Sequence, residues 1–161
     1  EIINKHLLSI QNNFWISDIS YPSIEHIIDE VEKVNPQVVL IDYLQLAKVE
    51  SNMTETAAIG DLLNKIKEIA RQKEIAFILA SQLNRNVESF MRKDKRIVLS
   101  DLRSSGCIEQ IAHVVMFLNF LSNDAITKSK HILLDISKNR SGPVGDCKIE
   151  FIPDRMMFKE I

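Results

Sequence analysis

One short apolar segment limits the folds open to this chain more than any other feature. Residues 38–41 are Val-Val-Leu-Ile, and Asp42 follows them directly. Apolar residues that do not alternate with polar ones are typical of a strand buried on both faces of a parallel sheet. Helices cover the faces of such sheets, because they connect the parallel strands. The segment therefore predicts an α/β protein.

The residues on either side of this segment extend the prediction. Residues 54–73 have apolar side chains at helical spacing, and residues 75–81 form a second unbroken apolar segment. A helical crossover of this length joins strands that run parallel. Upstream, residues 24–34 also show helical spacing, and a short strand is expected at residues 14–18. We therefore expect a parallel strand–helix–strand unit preceded by a helix.

The later part of the chain predicts strands of a different kind. The residues between the apolar segments 131–137 and 146–152 have the turn chemistry of a hairpin. A final edge strand is expected at residues 156–158. The apolar segments are residues 113–120, 131–137 and 146–152. The predicted architecture is a mostly parallel sheet, flanked by helices, that ends in antiparallel strands.

Composition and charge exclude several classes of protein. With 161 residues, 45% hydrophobic and 26% charged, the chain is one globular domain by its length. Its net charge of -2 argues against a general coating of nucleic acid but allows a local basic patch. Cys107 and Cys147 have no close-spaced partner, so we expect reduced cysteines and no zinc site. No apolar stretch approaches membrane-spanning length, which predicts a cytoplasmic protein.

Polar residues follow both strands of the predicted parallel unit. Asp42 ends the first strand, and Ser81-Gln82-Leu83-Asn84-Arg85 ends the second. Ligands of open α/β sheets bind at the carboxyl ends of the strands. An aspartate there can hold Mg²⁺ beside phosphates, and a glutamine can hold a water or contact a phosphate. Singly, Asp42 could instead begin a turn or cap a helix, and Gln82 could be an ordinary loop residue.

Two basic features could contact anions. Residues 85–103 contain six basic and three acidic side chains, a net charge of +3, and could grip a nucleic-acid backbone. Lys138 and Arg140 are two residues apart in an extended segment, so their side chains point the same way and could reach one anion, on a neighbouring subunit for example. The alternatives are a solvated surface loop for the first feature and a charged hairpin end for the second.

Four motifs taken together resemble one family. They are Ile-Asp-Tyr-Leu-Gln-Leu at 41–46, Ser-Gln-Leu-Asn-Arg at 81–85, Ser-Asp-Leu-Arg at 100–103 with Gly106, and Lys-Asn-Arg-Ser-Gly-Pro-Val-Gly at 138–145. Their order and approximate spacing resemble the later part of the RecA-like motor domain of DnaB-type replicative DNA helicases. The resemblance covers about residues 14–158. It implies ATP-dependent DNA unwinding at replication forks, with ATP and Mg²⁺ as cofactors of the full-length protein.

The resemblance also implies roles for single residues in nucleotide binding and catalysis. Asp42 matches the Walker B aspartate, which helps to hold Mg²⁺. Gln82 matches the glutamine that senses the γ-phosphate. Lys138 and Arg140 match the basic pair that reaches the nucleotide of the neighbouring subunit, with Arg140 as the arginine finger. Such an enzyme works only as an assembled ring, because part of each site comes from the next subunit.

The implied DNA contacts lie in one loop. Arg103, Ser104 and Gly106 match the segment that follows the backbone of single-stranded DNA through the channel of a hexameric ring. The implied partners are therefore single-stranded DNA, further copies of the same chain, and also a primase and a helicase loader.

The sequence departs from the family pattern at several points. The phosphate-binding motif G-x-x-x-x-G-K-[ST] is absent from these residues. We therefore expect residues 1–161 to be a single partial RecA-like domain, incomplete at its N-terminus and inactive alone. At positions 104, 111 and 113, where the family usually has acids, this chain has Ser104, Ile111 and His113. These differences affect DNA binding and the coupling of DNA binding to ATP hydrolysis. The alternative is a diverged, non-hydrolysing helicase-like protein that binds a helicase ring or a loader.

Overall fold

The computed structural model describes residues 13–20, 22–46, 54–84, 96–102, 105–124 and 129–161. These ranges contain three α-helices and six β-strands. The helices are α1 (Ile24–Val34), α2 (Glu55–Lys73) and α3 (Ser105–Ile111); the strands are β1 (Val38–Ile41), β2 (Ala76–Leu79), β3 (Val114–Asn123), β4 (Lys130–Asn139), β5 (Gly145–Ile152) and β6 (Met157–Glu160). The predicted α/β architecture is confirmed.

The strand–helix–strand unit predicted from residues 38–81 is present. β1 and β2 pair in parallel, with Ile41 opposite Leu79, and α2 connects them. Thr54 caps the start of α2, because its hydroxyl accepts a hydrogen bond of 3.3 Å from the backbone N–H of Ala57. The register brings the carboxyl ends of the two strands to the same level, so Asp42 and Ala80 leave the sheet side by side.

The remaining strands form a separate antiparallel sheet in the order β3–β4–β5–β6. The hairpin predicted between residues 138 and 145 joins β4 to β5. β3 continues past its predicted end at residue 120, because Ser122 and Asn123 still pair with His131 and Lys130 of β4. The strand expected at residues 14–18 is wrong, since these residues have no regular structure.

One hydrophobic core lies between the helices and the inward faces of both sheets. Val39 and Ile41 of β1 pack against it, as do Phe77 and Leu79 of β2. The buried members come from all three helices, from β3 of the antiparallel sheet and from the intervening segments: Ile27, Val31, Leu44, Ile59, Leu62, Leu63, Ile66, Ile69, Ile75, Leu102, Ile108, Val115 and Phe117.

The outer face of the parallel pair is exposed. Val38, Leu40 and Ile78 are 54%, 67% and 53% exposed. The expectation that β1 is buried on both faces is therefore wrong for the described residues. A strand whose four residues are all apolar gives no alternation that could show which face is covered, and the described part of the chain packs only one.

α3 lies against α2, and this contact positions the segment that carries Gly106. A Cβ atom added to Gly60 of α2 would lie 3.6 Å from the Cβ of Cys107, an ordinary van der Waals distance. The Cys107 thiol also lies 3.8 Å from the carbonyl oxygen of Thr56. Across the described ranges, every helix is too short or too polar to cross a lipid bilayer.

Candidate functional site

Asp42 lies at the carboxyl edge of the parallel pair, where the sequence predicts a ligand site. The backbone pairing continues around it: Ala80 N–H donates to Ile41 O at 3.0 Å, and Leu44 N–H donates to Ala80 O at 2.8 Å. The peptide bond between Asp42 and Tyr43 is cis. Asp42 is exposed, and its carboxylate has no hydrogen-bond or ion-pair partner in the described residues. It is therefore open to a ligand.

Gln45 connects the two strand ends through its side chain. Its Nε2 donates to Ser81 Oγ at 3.0 Å, and its Oε1 accepts from the backbone N–H of Gln82 at 3.1 Å. Leu44, immediately before it, is only 1% exposed. The turn after β1 is thus held by a buried side chain on one side and by a two-point amide contact on the other.

The structure brings Gln82 to the same edge as Asp42. Its backbone is held by Gln45, whereas its side chain is exposed and has no hydrogen-bond partner in the part of the chain that the structure describes. Both residues expected to contact a nucleotide therefore have free side chains on a fixed backbone.

Lys138 and Arg140 lie in a different part of the molecule, at the end of β4. Lys138 Nζ donates to the carbonyl oxygen of Glu109, and Arg140 Nη2 donates to that of Gln110. These carbonyls belong to the last turn of α3, where backbone acceptors lack helical partners and the helix dipole favours cations. Partial burial, and next the guanidinium of Arg140, lower the pKa of the Lys138 ammonium below its ordinary value.

The turn that carries Arg140 is held by the side chain of Asn139. Asn139 Nδ2 donates to Pro143 O at 3.1 Å, and its Oδ1 accepts from Ser141 N–H at 3.2 Å. A Cβ atom on Gly142 would lie 2.8 Å from Asn139 Nδ2, so the turn needs glycine there to keep this contact. The backbone on both sides of Arg140 is consequently constrained.

The predicted DNA-contacting residues fall only partly within the described ranges. Arg103 and Ser104 lie outside the described residues. Gly106 lies in the first turn of α3 and is exposed, and a Cβ atom added there would meet no heavy atom within 4 Å. Packing within the described chain therefore gives no reason for a glycine at this position.

The segment that leads to Arg103 is bonded to residues 83 and 84, which follow β2. Asn84 N–H donates to Asp101 O at 2.8 Å, and Asn84 Nδ2 donates to Leu102 O at 3.2 Å. Leu83 and Leu102 form an isolated antiparallel bridge. The backbone that follows Gln82 thus contacts the backbone that precedes the predicted DNA loop.

Sequence reasoning assigned no role to Gln45 or Asn84. Gln45 lies in the motif at residues 41–46 and Asn84 in the motif at residues 81–85. Their positions close to Asp42 and Gln82 in the sequence were the signal that could have indicated a role. Their partners are 36 and 18 residues away in the chain, and only the fold shows those contacts.

Asp42 suits magnesium better than a metal that needs a protein cage. Mg²⁺ usually keeps several waters and binds through one or two carboxylates together with phosphate oxygens. Among the described residues, no group of three or more His, Cys, Asp or Glu side chains gathers as a metal site. A single open carboxylate at a strand end fits an ion that a nucleotide brings with it.

Comparison with known proteins gives one family. The model of the DnaB-like helicase C terminal domain matches residues 2–160. The replicative DNA helicase DnaB of Mycoplasma genitalium is 35% identical over 155 residues, which cover 90% of this chain and 33% of that protein. The replicative DNA helicase DnaC of Bacillus subtilis is 38% identical over 125 residues, which cover 75% of this chain and 27% of that protein. The chain thus spans about a third of the length of these relatives.

Solved structures share the fold. The solved structure of one ATPase domain matches 87% of this chain and 52% of its own length, with a TM-score of 0.76 and 33% identity. The structure of a DnaB-like replicative helicase, determined together with its interactions with primase, matches 98% of this chain and 40% of its own length, with a TM-score of 0.84 and 31% identity. The predicted RecA-like α/β fold is confirmed by these neighbours. The chain therefore belongs to the DnaB-like helicase C-terminal domain family.

Proposed function

We propose that this chain is the later part of the ATP-driven motor of a ring-forming replicative DNA helicase. Residues 1–161 would form a single partial RecA-like domain of a longer protein that unwinds DNA at replication forks in the cytoplasm. Family membership supports the general activity. The observation that carries the proposal is the shared edge of β1 and β2, where the side chains of Asp42 and Gln82 have no partner in the described ranges and Gln45 holds the Gln82 backbone.

At this edge, each residue has a distinct task in the proposal. Asp42 would hold Mg²⁺, which neutralises charge on the phosphates of ATP. Gln82 would contact the γ-phosphate or orient the attacking water. The phosphate-binding motif is absent from the 161 residues, so this chain alone is expected not to hydrolyse ATP.

Lys138 and Arg140 would act on the nucleotide of the neighbouring subunit. Within the described chain their side chains bond to the end of α3. The resemblance of this segment to the basic pair of the family supports the role in trans, while the bonds to α3 hold both cations within their own subunit. An arginine supplied in this way stabilises the charge of the phosphoryl-transfer transition state.

Single-stranded DNA is the proposed substrate of the Arg103, Ser104 and Gly106 segment. Such contacts are made to phosphates and are independent of sequence. Asn84 bonds to Asp101 and Leu102, the residues that directly precede this segment, and in the proposal this contact links the nucleotide site to the DNA. Further copies of the chain in a hexameric ring, a primase and a helicase loader are the other proposed partners, and a primase interaction has been studied for one structural neighbour.

Substitution of Asp42 tests the proposal. Asp42→Asn in the full-length protein that carries this chain should lower ATP hydrolysis stimulated by single-stranded DNA by roughly 10²-fold, because a group that organises transition-state charge is removed. Asp29→Asn is the matched control, since Asp29 is an exposed acid on α1 away from the edge. Unchanged hydrolysis in Asp42→Asn would remove the magnesium role from this residue.

The same assay separates the alternative function. Ile111 packs against the hydrophobic core at the end of α3, at a position where the family usually has an acid. This contact favours a structural use of α3, as expected of a diverged helicase-like protein that no longer hydrolyses ATP. A full-length protein that binds a helicase ring or a loader but shows no DNA-stimulated hydrolysis would support that alternative.

A further inference from the structure

Gln45 lies between the two residues that the proposed function places on the nucleotide. Each end of its amide contacts the segment after β2, at Ser81 Oγ and at the backbone N–H of Gln82. We infer that Gln45 is a positioning residue that fixes Gln82 relative to Asp42, so that the glutamine can respond to the γ-phosphate. The inference rests on the proposed function, because it needs Gln82 to act on a nucleotide.

The orientation of the Gln45 amide follows from its partners. A backbone N–H can only donate, so the atom that faces Gln82 must be the carbonyl oxygen Oε1. Nε2 then faces Ser81 Oγ, which can accept. Both contacts are of ordinary length, 3.1 and 3.0 Å, and both cross from one strand end to the other. The amide therefore fixes two consecutive residues of the second strand end at once.

Gln45 is itself held in place. Leu44 is buried, and its N–H donates to Ala80 O at 2.8 Å. The turn that bears Gln45 is thus fixed to the same strand end that Gln45 contacts. By contrast, the exposed side chain of Gln82 has no partner in the described residues. The backbone therefore sets the point from which that side chain extends, and Gln45 holds the backbone at this point.

A positioning role predicts a specific kinetic signature. In the proposed function Asp42 holds Mg²⁺ and Gln82 makes only one contact with the γ-phosphate, so loss of the Gln45 contacts should leave ATP binding nearly intact. The placement of Gln82 matters most in the transition state, where small displacements of a reacting or orienting group have large effects. A purely structural role would lower stability without separating kcat from KM.

The main test replaces Gln45 by an apolar side chain of similar length. Gln45→Met in the full-length protein removes both hydrogen bonds. The kcat for ATP hydrolysis in the presence of a single-stranded DNA oligonucleotide should then fall about ten-fold, as is typical when a residue that orients a functional side chain is lost. The KM for ATP should stay within about two-fold of wild type, because ground-state binding is retained. Gln72→Met is the matched control, since Gln72 is exposed on α2 and its side chain bonds to Glu68 of the same helix.

A conservative variant should restore the function. In Gln45→Glu the carboxylate can accept from the Gln82 N–H and from the Ser81 hydroxyl, so kcat should recover even if the added charge raises KM. Ser81→Ala removes only one of the two contacts and should give an intermediate kcat. This second variant keeps the test valid if Gln45→Met does not fold.

Amide hydrogen exchange gives a readout that does not depend on activity. Exchange at Gln82 N–H should be faster in Gln45→Met than in wild type and slow again in Gln45→Glu, because that N–H donates to Gln45. Unchanged exchange, an unchanged kcat, or an equal loss in Gln72→Met would each overturn the inference. If the wild-type protein hydrolyses ATP and Gln45→Met hydrolyses it with an unchanged kcat, only the inference fails. If the wild-type protein does not hydrolyse ATP, the proposed function fails and the role of Gln45 fails with it.

Discussion

Two regions of the molecule hold the side chains proposed to be functional in opposite ways. The first region, called the nucleotide edge, consists of Asp42, Gln45, Ser81 and Gln82. The side chains of Asp42 and Gln82 have no partner in the described residues, while Gln45 bonds to Ser81 Oγ and to the backbone N–H of Gln82. In the basic turn (residues 138–143), Lys138 and Arg140 already bond to the end of α3. Side chains proposed to bind a nucleotide at their own site are unpaired in the described residues, whereas side chains proposed to act on a neighbour are paired within their own subunit.

Both regions use an amide side chain as a support, but at different ranges. Gln45 contacts residues 36 and 37 positions later in the chain. Asn139 contacts residues two and four positions later. The nucleotide edge therefore depends on the correct pairing of β1 with β2, while the basic turn depends on local turn geometry. Substitutions should show this difference.

The largest expected effect comes from the basic turn. Arg140→Ala should lower DNA-stimulated ATP hydrolysis by roughly 10³–10⁵-fold, because an arginine supplied in trans stabilises transition-state charge. Nucleotide binding, measured by fluorescence titration, should be largely retained, since Arg140 is not part of the nucleotide edge. Arg71→Ala on α2 is the matched control, because Arg71 is an exposed arginine of a helix end.

Mixed rings can show whether the two regions belong to one site in different subunits. Proteins with Arg140→Ala and with Asp42→Asn should each be inactive alone, but some activity should return when they are mixed. In a mixed ring an intact Asp42 can meet an intact Arg140 across a subunit boundary. If mixing restores no ATP hydrolysis, Asp42 and Arg140 act in the same subunit. The difference between the two regions would then not reflect action on a neighbouring subunit.

A smaller effect is expected when the support of the nucleotide edge is removed. Leu44→Ala should lower the free energy of unfolding by about 2–5 kcal/mol, since Leu44 is 1% exposed and its loss leaves a cavity. Leu40→Ala should change it by less than about 1 kcal/mol, because Leu40 is 67% exposed on the outer face of β1. Urea denaturation of both variants measures the difference, and equal losses would mean that the outer face is covered in solution.

The smallest effect on the fold is expected at Gly106. Gly106→Ala should leave stability unchanged or raise it by about 0.5–1 kcal/mol, since alanine favours a helix and open space surrounds the added carbon. Affinity for single-stranded DNA should nevertheless fall several-fold, because a backbone without a side chain allows close approach. Gly60→Ala in α2 is the matched control, and an equal affinity loss in both variants would assign the effect to helix packing.

The helices and the parallel unit could be predicted because their signals are local. The apolar spacing of residues 24–34 and 54–73 predicted α1 and α2 nearly to their observed ends. The strand expected at residues 14–18 was wrong, although Phe14, Trp15 and Ile16 are apolar, because these residues pair with no strand in the described chain and are 58–79% exposed. Apolar composition predicts a strand only when a partner strand or a covering layer is present.

The site was predicted in part for the same reason. Asp42 and Gln82 were placed at one edge because parallel strands bring their carboxyl ends together, and the register of Ile41 with Leu79 agrees. Their roles, and those of Lys138, Arg140, Arg103, Ser104 and Gly106, remain predictions that the mutants above test. The bonds of Lys138 and Arg140 to α3 could not be predicted, because Glu109 and Gln110 are 29 and 30 residues away and offer only backbone carbonyls.

By itself, the sequence determined the secondary structure of the parallel unit, the motifs and the family, since each depends on residue types at short, fixed spacings. Only the tertiary structure decided which face of β1 is covered and which side chains have no partner in the described residues. It also decided that Gln45 joins the two strand ends and that Asn84 bonds to Asp101 and Leu102. Such contacts depend on the position of residues that are distant in the chain. Hydrogen bonds need their partners within a few ångströms, and only the packed core sets those distances.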